Sequence, residues 1–443
     1  MKYYVNYIES GKKKIMKTKL YNYQKEIRDE IIKSNDFSTA LFMDMGTGKT
    51  LTSLSVFEYL IKNNKVNKLL VVCLKNKIND WLKDISDELY ELDFNYEVIN
   101  FESIWRPKRA EYYDKFVDDK CMVIIDESQK IKSRTSKVTK YIMTLYNKTQ
   151  YKLILTGTPQ NQQYIDYYPQ MKFINSKDFD IPYKQWEKIY VNKKLDNQGG
   201  HYFYVIDSYN FTDVMDEAIT KKAHYYTYLS HYDKPIEIYQ DIDHSKSALK
   251  FQKDRVWKDP DIERCDDVIA DTQMSLRIYM RQSCSGFIRN YDIESPKEEW
   301  LKDFLEIEPR RIVIFTNFVR EIEKIENICK KENRPYGVYY GAKKDLEPFK
   351  NNDNGIAIVN YQSGATGIND LCISNIGIFY SPSEDYILHS QAKARLDRIG
   401  QTKQPVFYYL VTKGSIEREI YKSLKEGKSF DDKIFTKWLK LNS

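Results

Sequence analysis

The stretch "LFMDMGTGKTLTSL", residues 41–54, decides the fold. It joins a short apolar run, STALFM (38–43), to a segment in which Leu51, Leu54, Phe57 and Leu60 recur every third residue. The first reads as a buried strand and the second as a helix with one apolar face. Between them lies DMGTG. A glycine-containing loop between strand and helix presents backbone N–H groups, and the helix N-terminus adds its dipole, so the place suits phosphate. Met45, Gly46, Thr47 and Gly48 line such a loop. Lys49 is placed to reach β- and γ-phosphates and Thr50 to ligate Mg²⁺. The general pattern GxxxxGK[ST] is not met in full, because Met43 stands where its first glycine falls.

Outward from this loop, strand-like runs alternate with helical patterns. KLLVVC (68–73), YEVINF (96–101), CMVIID (121–126) and KLILTG (152–157) complete a first set. RIVIFT (311–316), YGVYYG (336–341), GIAIVN (355–360), NIGIFY (375–380) and PVFYYL (405–410) make a second. Such alternation predicts parallel α/β sheets. Between about 176 and 300 the rhythm is lost, and a mainly helical insertion rich in charge and aromatics is expected. The organisation predicted is 1–175, 176–300 and 301–443.

Composition fits a folded protein. Of 443 residues, 42% are hydrophobic and 30% charged, and no apolar run approaches the ~20 residues of a membrane helix. The start, MKYYVNYIES, lacks the apolar stretch of a secretion signal. Six dispersed cysteines without a CxxC pair argue against a zinc ribbon and for a reducing, cytoplasmic compartment. The net charge of +6, from 70 basic and 64 acidic residues, permits a nucleic-acid partner without requiring one. The 37 tyrosines are scattered, as an AT-rich coding genome would leave them.

CMVIIDESQK puts Asp126 and Glu127 at the end of a predicted strand, where ligands bind in parallel sheets. Asp126 suits Mg²⁺, through water, and Glu127 suits deprotonation of an attacking water. In "HSQAKARLDRIGQ" (389–401), Gln391, Arg395 and Arg398 are spaced i,i+4 and i,i+3, which places them on one face of a predicted helix. Pro382 and Ser383 supply its start, with Glu384 and Asp385 in the first turn, and Gly400 its stop.

On these segments the chain resembles superfamily 2 helicases, most closely the Swi/Snf-type DNA-dependent ATPases. LYNYQ (20–24), LLVVCLKNKINDWLKDI (69–85), VIIDESQKIKS (123–133), LILTGTPQNQ (153–162), MRQSCSGF (280–287), VIFTNFVREIEKI (313–325), NYQSGATGINDLCISN (360–375) and QAKARLDRIGQ (391–401) carry the likeness. The family's Ala-His is replaced by Ser128 and Gln129, and Gln129 is expected to bond toward Thr156 or Thr158. The resemblance implies two RecA-like parallel-sheet domains in tandem. It implies Gln24 as adenine reader, Arg395 and Arg398 as arginine fingers, Gln391 near the γ-phosphate, and Gly364, Thr366, Gly367 and Asn369 in a loop meeting DNA phosphate and nucleotide. By the same likeness, Thr156, Thr158 and Thr316 contact nucleic acid. The activity expected is ATP-dependent DNA translocation or unwinding by a monomer of bacterial or phage type, in recombination, repair or replication. An RNA helicase, and a nucleotide-gated clamp with little turnover, remain as alternatives.

Overall fold

Strand β1 (Ser38–Met43) is buried at every position and runs parallel to β5 (Tyr151–Thr156), also buried throughout. In a parallel sheet covered on both faces, continuous apolar runs of this kind are required. The computed structural model describes residues 16–157, 163–198, 201–228, 232, 234–257, 268–341, 343–364 and 370–442. Its chain divides into two compact units, Met1–Thr227 and Tyr228–Ser443.

The first unit holds a parallel sheet of order β3-β2-β4-β5-β1, with β2 at Lys68–Cys73, β3 at Asn95–Asn100 and β4 at Cys121–Asp126. A sixth strand, Ala223–Tyr226, joins parallel on the outer side of β1, pairing Met43 with Tyr226. Between β1 and β2 the helix Lys49–Lys62 buries Leu54, Phe57 and Leu60 completely. Because β1 and β2 are separated in the sheet by β5 and β4, the carboxyl ends of β1, β4 and β5 share one rim, the position at which open α/β sheets bind ligands.

The second unit repeats the architecture. Its strand order is Lys343–Asp345, Tyr336–Tyr340, Ile356–Asn360, Ile312–Thr316, Ile376–Phe379, Val406–Thr412, Ile236–Ile242; only the first pairing is antiparallel. Both units are thus RecA-like parallel-sheet domains, as the sequence implies.

The stretch 176–300 is more mixed than its charge suggests. Helices Tyr183–Tyr190, Thr212–Lys222, Lys246–Asp254 and Gln273–Cys284 are present, but so is a ribbon of Val191–Gln198 against His201–Tyr209. Contacts place its residues up to Thr227 with the first unit and those from Tyr228 with the second. Each portion contributes an edge strand to its sheet. Arg281 donates to the Pro382 carbonyl at 3.0 Å and pairs with Glu384 at 3.1 Å. Lys297, with no exposed surface, pairs with the equally buried Glu417 at 2.6 Å and donates to the Tyr380 carbonyl at 2.8 Å. A buried ammonium needs this full set of partners, so these bonds fix the segment onto the second sheet.

Candidate functional site

The loop after β1 turns on two glycines. Gly46 and Gly48 both have φ of +77°, in the left-handed region where side chains are disfavoured. Gly48 also has no room for one, since a Cβ there meets Gln24 Nε2 at 2.2 Å. The carbonyls of Thr47 and Asp44 are satisfied by side chains. That of Thr47 accepts from Tyr23 Oη at 2.8 Å and Gln24 Nε2 at 3.0 Å. That of Asp44 accepts from Thr47 Oγ1 at 2.6 Å. Lys49 opens the following helix and its ammonium rests on the carbonyls of Met43 and Asp44, at 2.8 and 3.1 Å. Thr50, one residue on, is half-buried.

At the end of β4, Asp126 accepts from Trp81 Nε1 at 2.9 Å. Burial raises its carboxyl above the usual range, the charge of Glu127 adds to that, and Trp81, Lys77 and Lys49 oppose it. Glu127 has φ of +60° and caps a short helical turn, Ser128–Ile131. A non-glycine residue held there is strained, and such strain collects at functional positions. Gln129 Nε2 donates to Glu127 Oε2 at 2.6 Å, so this amide orients the carboxylate, and Ser128 donates to Gln170 at 2.7 Å. At the end of β5, a Cβ on Gly157 meets Met45 Cγ at 2.8 Å and Lys49 Nζ at 3.2 Å. Lys49, Asp126, Glu127 and Gly157 therefore gather on one rim.

Trp81 is the residue whose task sequence reasoning missed. It belongs to the helix Ile78–Glu88, is 2% exposed, and holds Asp126 from an element 45 positions away. Trp81→Phe keeps most of the packing and removes the donor. It is expected to cost about 1.5–3 kcal/mol, the net worth of a hydrogen bond to a charged group. Urea unfolding checks this, and an unchanged midpoint contradicts it.

Gln24 is 1% exposed and its amide bonds the Thr47 carbonyl and the Tyr21 N–H, the latter at 2.9 Å, so it braces the loop. Thr156 and Thr316 are completely buried, each the last residue of an interior strand. One sequence expectation requires correction, that of the arginines. The helix runs only Tyr386–Lys393, with Asp385 as its cap, accepting from Ile387 N at 2.7 Å. Arg395 N bonds back to Ala392 at 3.1 Å, a tighter pitch, so Arg395 and Arg398 lie on turns after the helix and the shared helical face is lost.

The turns are nevertheless fixed. Leu396 is fully buried, Gln401 Nε2 donates to the carbonyls of Cys372, Ser374 and Leu396, and Asp397 accepts from Tyr232 Oη at 2.8 Å. Gln391, on the helix itself, is 4% exposed. Gly364 ends the short helix Tyr361–Gly364. Thr158, Thr366, Gly367 and Asn369 lie outside the described residues.

Two family models match. Residues 90–284 match the SNF2-related domain, and residues 17–91 match the res subunit of type III restriction enzymes. The first of these covers less than half of the chain, which is similar to the SNF2-related domain over that stretch. Curated relatives of this chain include an uncharacterized ATP-dependent helicase of Mycoplasma pneumoniae, 23% identical over 91% of this chain and 41% of that one. Chromodomain-helicase-DNA-binding protein 1 of Homo sapiens is 23% identical over 88% of this chain and 25% of that one. The chain thus spans less than half the length of these relatives. Among solved structures, the Sulfolobus solfataricus SWI2/SNF2 ATPase core in complex with dsDNA is 22% identical, with 95% of this chain and 93% of that one covered and a TM-score of 0.44. Among the described residues, no helix is long and apolar enough to cross a membrane.

Proposed function

We propose that this chain is an ATP-driven DNA translocase or helicase. The observation that carries the reading is the convergence of a glycine-turned loop, Lys49 and the Asp126–Glu127 pair on one rim of the first sheet. In this reading Lys49 exchanges the carbonyls of Met43 and Asp44 for β- and γ-phosphate oxygens. Loop N–H groups and the helix N-terminus are assigned to the same phosphates.

The residues present fit magnesium. Asp126 is a half-buried carboxyl whose charged form is disfavoured by desolvation and by the neighbouring Glu127, and a nearby cation relieves that penalty. Thr50 and Asp126 would hold the ion, which when bound screens phosphate charge. Glu127, aimed by Gln129, takes the proton of the attacking water. Arg395, Arg398 and Gln391 are assigned to charge developing on the γ-phosphate. The segment from Gly364 through Thr366 and Gly367 is assigned to DNA phosphate and nucleotide.

DNA is the partner this reading favours, through backbone contacts and without sequence preference. A monomeric state, a cytoplasmic location and a part in recombination, repair or replication belong to the same proposal. The discriminating experiment compares ATP turnover with single-stranded DNA, duplex, branched DNA and RNA. DNA is expected to stimulate, with the effect collapsing as salt rises from about 50 to about 200 mM. Stimulation by RNA alone points instead to an RNA helicase, and nucleotide binding with no turnover points to a gated clamp.

A further inference from the structure

The phosphate loop is braced from a place no motif marks. Tyr226 ends the sixth strand of the first sheet, and its carbonyl accepts from Asp44 N at 2.9 Å, at the entrance to the loop. Its ring stacks on that of Tyr23 with centroids 3.7 Å apart and planes 11° apart. Tyr23 in turn donates its hydroxyl to the Thr47 carbonyl at 2.8 Å, next to Gly48. Tyr21 stacks on the outer side of Tyr23 at 5.8 Å. Tyr226 therefore grips the loop twice, at its first residue through backbone and near its last residue through Tyr23.

We propose that Tyr226 is a positioning residue for nucleotide binding, acting through the Tyr23 ring to keep the Thr47 carbonyl turned away from the phosphates. The proposal rests on the reading that this loop holds nucleotide phosphate. The physical reason is the two left-handed glycines, which make the loop free to flip its peptides. A flipped Thr47 peptide points a carbonyl oxygen where an anion must sit. Two side-chain donors oppose this, Tyr23 Oη and Gln24 Nε2. Only the first depends on a ring whose place is set by Tyr226. Burial pushes the Tyr23 phenol upward, which keeps it a neutral donor.

The test measures ATP turnover with duplex DNA, and ATP affinity by titration calorimetry, in full-length Tyr226→Ala, Tyr226→Phe and Tyr23→Phe, with Lys49→Ala alongside. Tyr226→Ala is expected to raise KM and Kd for ATP roughly tenfold, the scale of one net hydrogen bond, while kcat falls less than about threefold. Tyr226→Phe keeps the ring and is expected to behave as wild type. Tyr23→Phe keeps both rings, loses only the hydroxyl, and is expected to weaken ATP binding about as much as Tyr226→Ala. A stack that served the fold alone lowers the melting temperature and the active fraction, hence kcat, and leaves KM in place. An unchanged KM and Kd in Tyr226→Ala, or a Tyr226→Phe as impaired as Tyr226→Ala, overturns the proposal. Should Tyr226→Ala not fold, Tyr23→Phe with unaltered ATP affinity overturns it equally. Turnover surviving in Lys49→Ala rejects the phosphate-loop reading itself, whatever the tyrosine variants do.

Discussion

Replacing Arg398 with alanine is expected to leave ATP affinity within about threefold of wild type and to lower DNA-stimulated turnover by ~10³, the contribution arginine fingers make in related chemistry. The large effect on turnover and small effect on binding follow from where charge sits. Ground-state ATP is held by the loop and Lys49, whereas the arginine is assigned to charge that grows only as the γ-phosphate leaves. Loss of the side chain is not expected to undo the turn that carries it. Leu396 is fully buried, and Gln401 ties the segment to the carbonyls of Cys372 and Ser374. Arg398→Lys is expected to remain defective, since an ammonium lacks the planar fork. Steady-state kcat and an ATP titration check both halves. Turnover within tenfold of wild type removes Arg398 from the reaction.

The second large effect is at Glu127. Glu127→Gln preserves shape and the contact with Gln129, which donates to the carboxylate at 2.6 Å. What disappears is the base. Hydrolysis is expected to fall ~10²-fold or more, with ATP still bound. The strained backbone, φ +60°, is set by the end of β4 and by the short helical turn it caps, so it persists in the variant. Pre-steady-state phosphate release against ATP affinity separates the possibilities. Binding and hydrolysis weakening together assign Glu127 to the metal or to the loop's architecture.

Strand positions were legible because parallel sheets demand continuous apolar runs, and STALFM and CMVIID offer no other reading. The carboxyl-end loops followed from the strands, so Lys49, Asp126 and Glu127 could be named in advance. The edge strands Ala223–Tyr226 and Ile236–Ile242 escaped notice because an edge needs burial on fewer sides. IEIYQDI alternates apolar and polar residues only over Ile236–Ile238, so the period of two was a weak signal. The arginine segment was misread for a different reason. Spacing of i,i+4 and i,i+3 fits a helix, but tertiary anchors at Leu396 and Gln401 end the helix at Lys393. Trp81 and Tyr226 act on residues 45 and 182 positions distant (Asp126 and Asp44), and no local pattern encodes such pairings. Gln24 was found by resemblance, and its bond to the Thr47 carbonyl is a further tie no local pattern encodes.

The most direct test is ATP turnover of the full chain at saturating duplex DNA, wild type against Lys49→Ala. DNA-stimulated hydrolysis in wild type, reduced to background in the variant, is the predicted result. Hydrolysis that is indifferent to DNA, or that persists when Lys49 is alanine, contradicts the assignment of this rim to a DNA-driven ATPase.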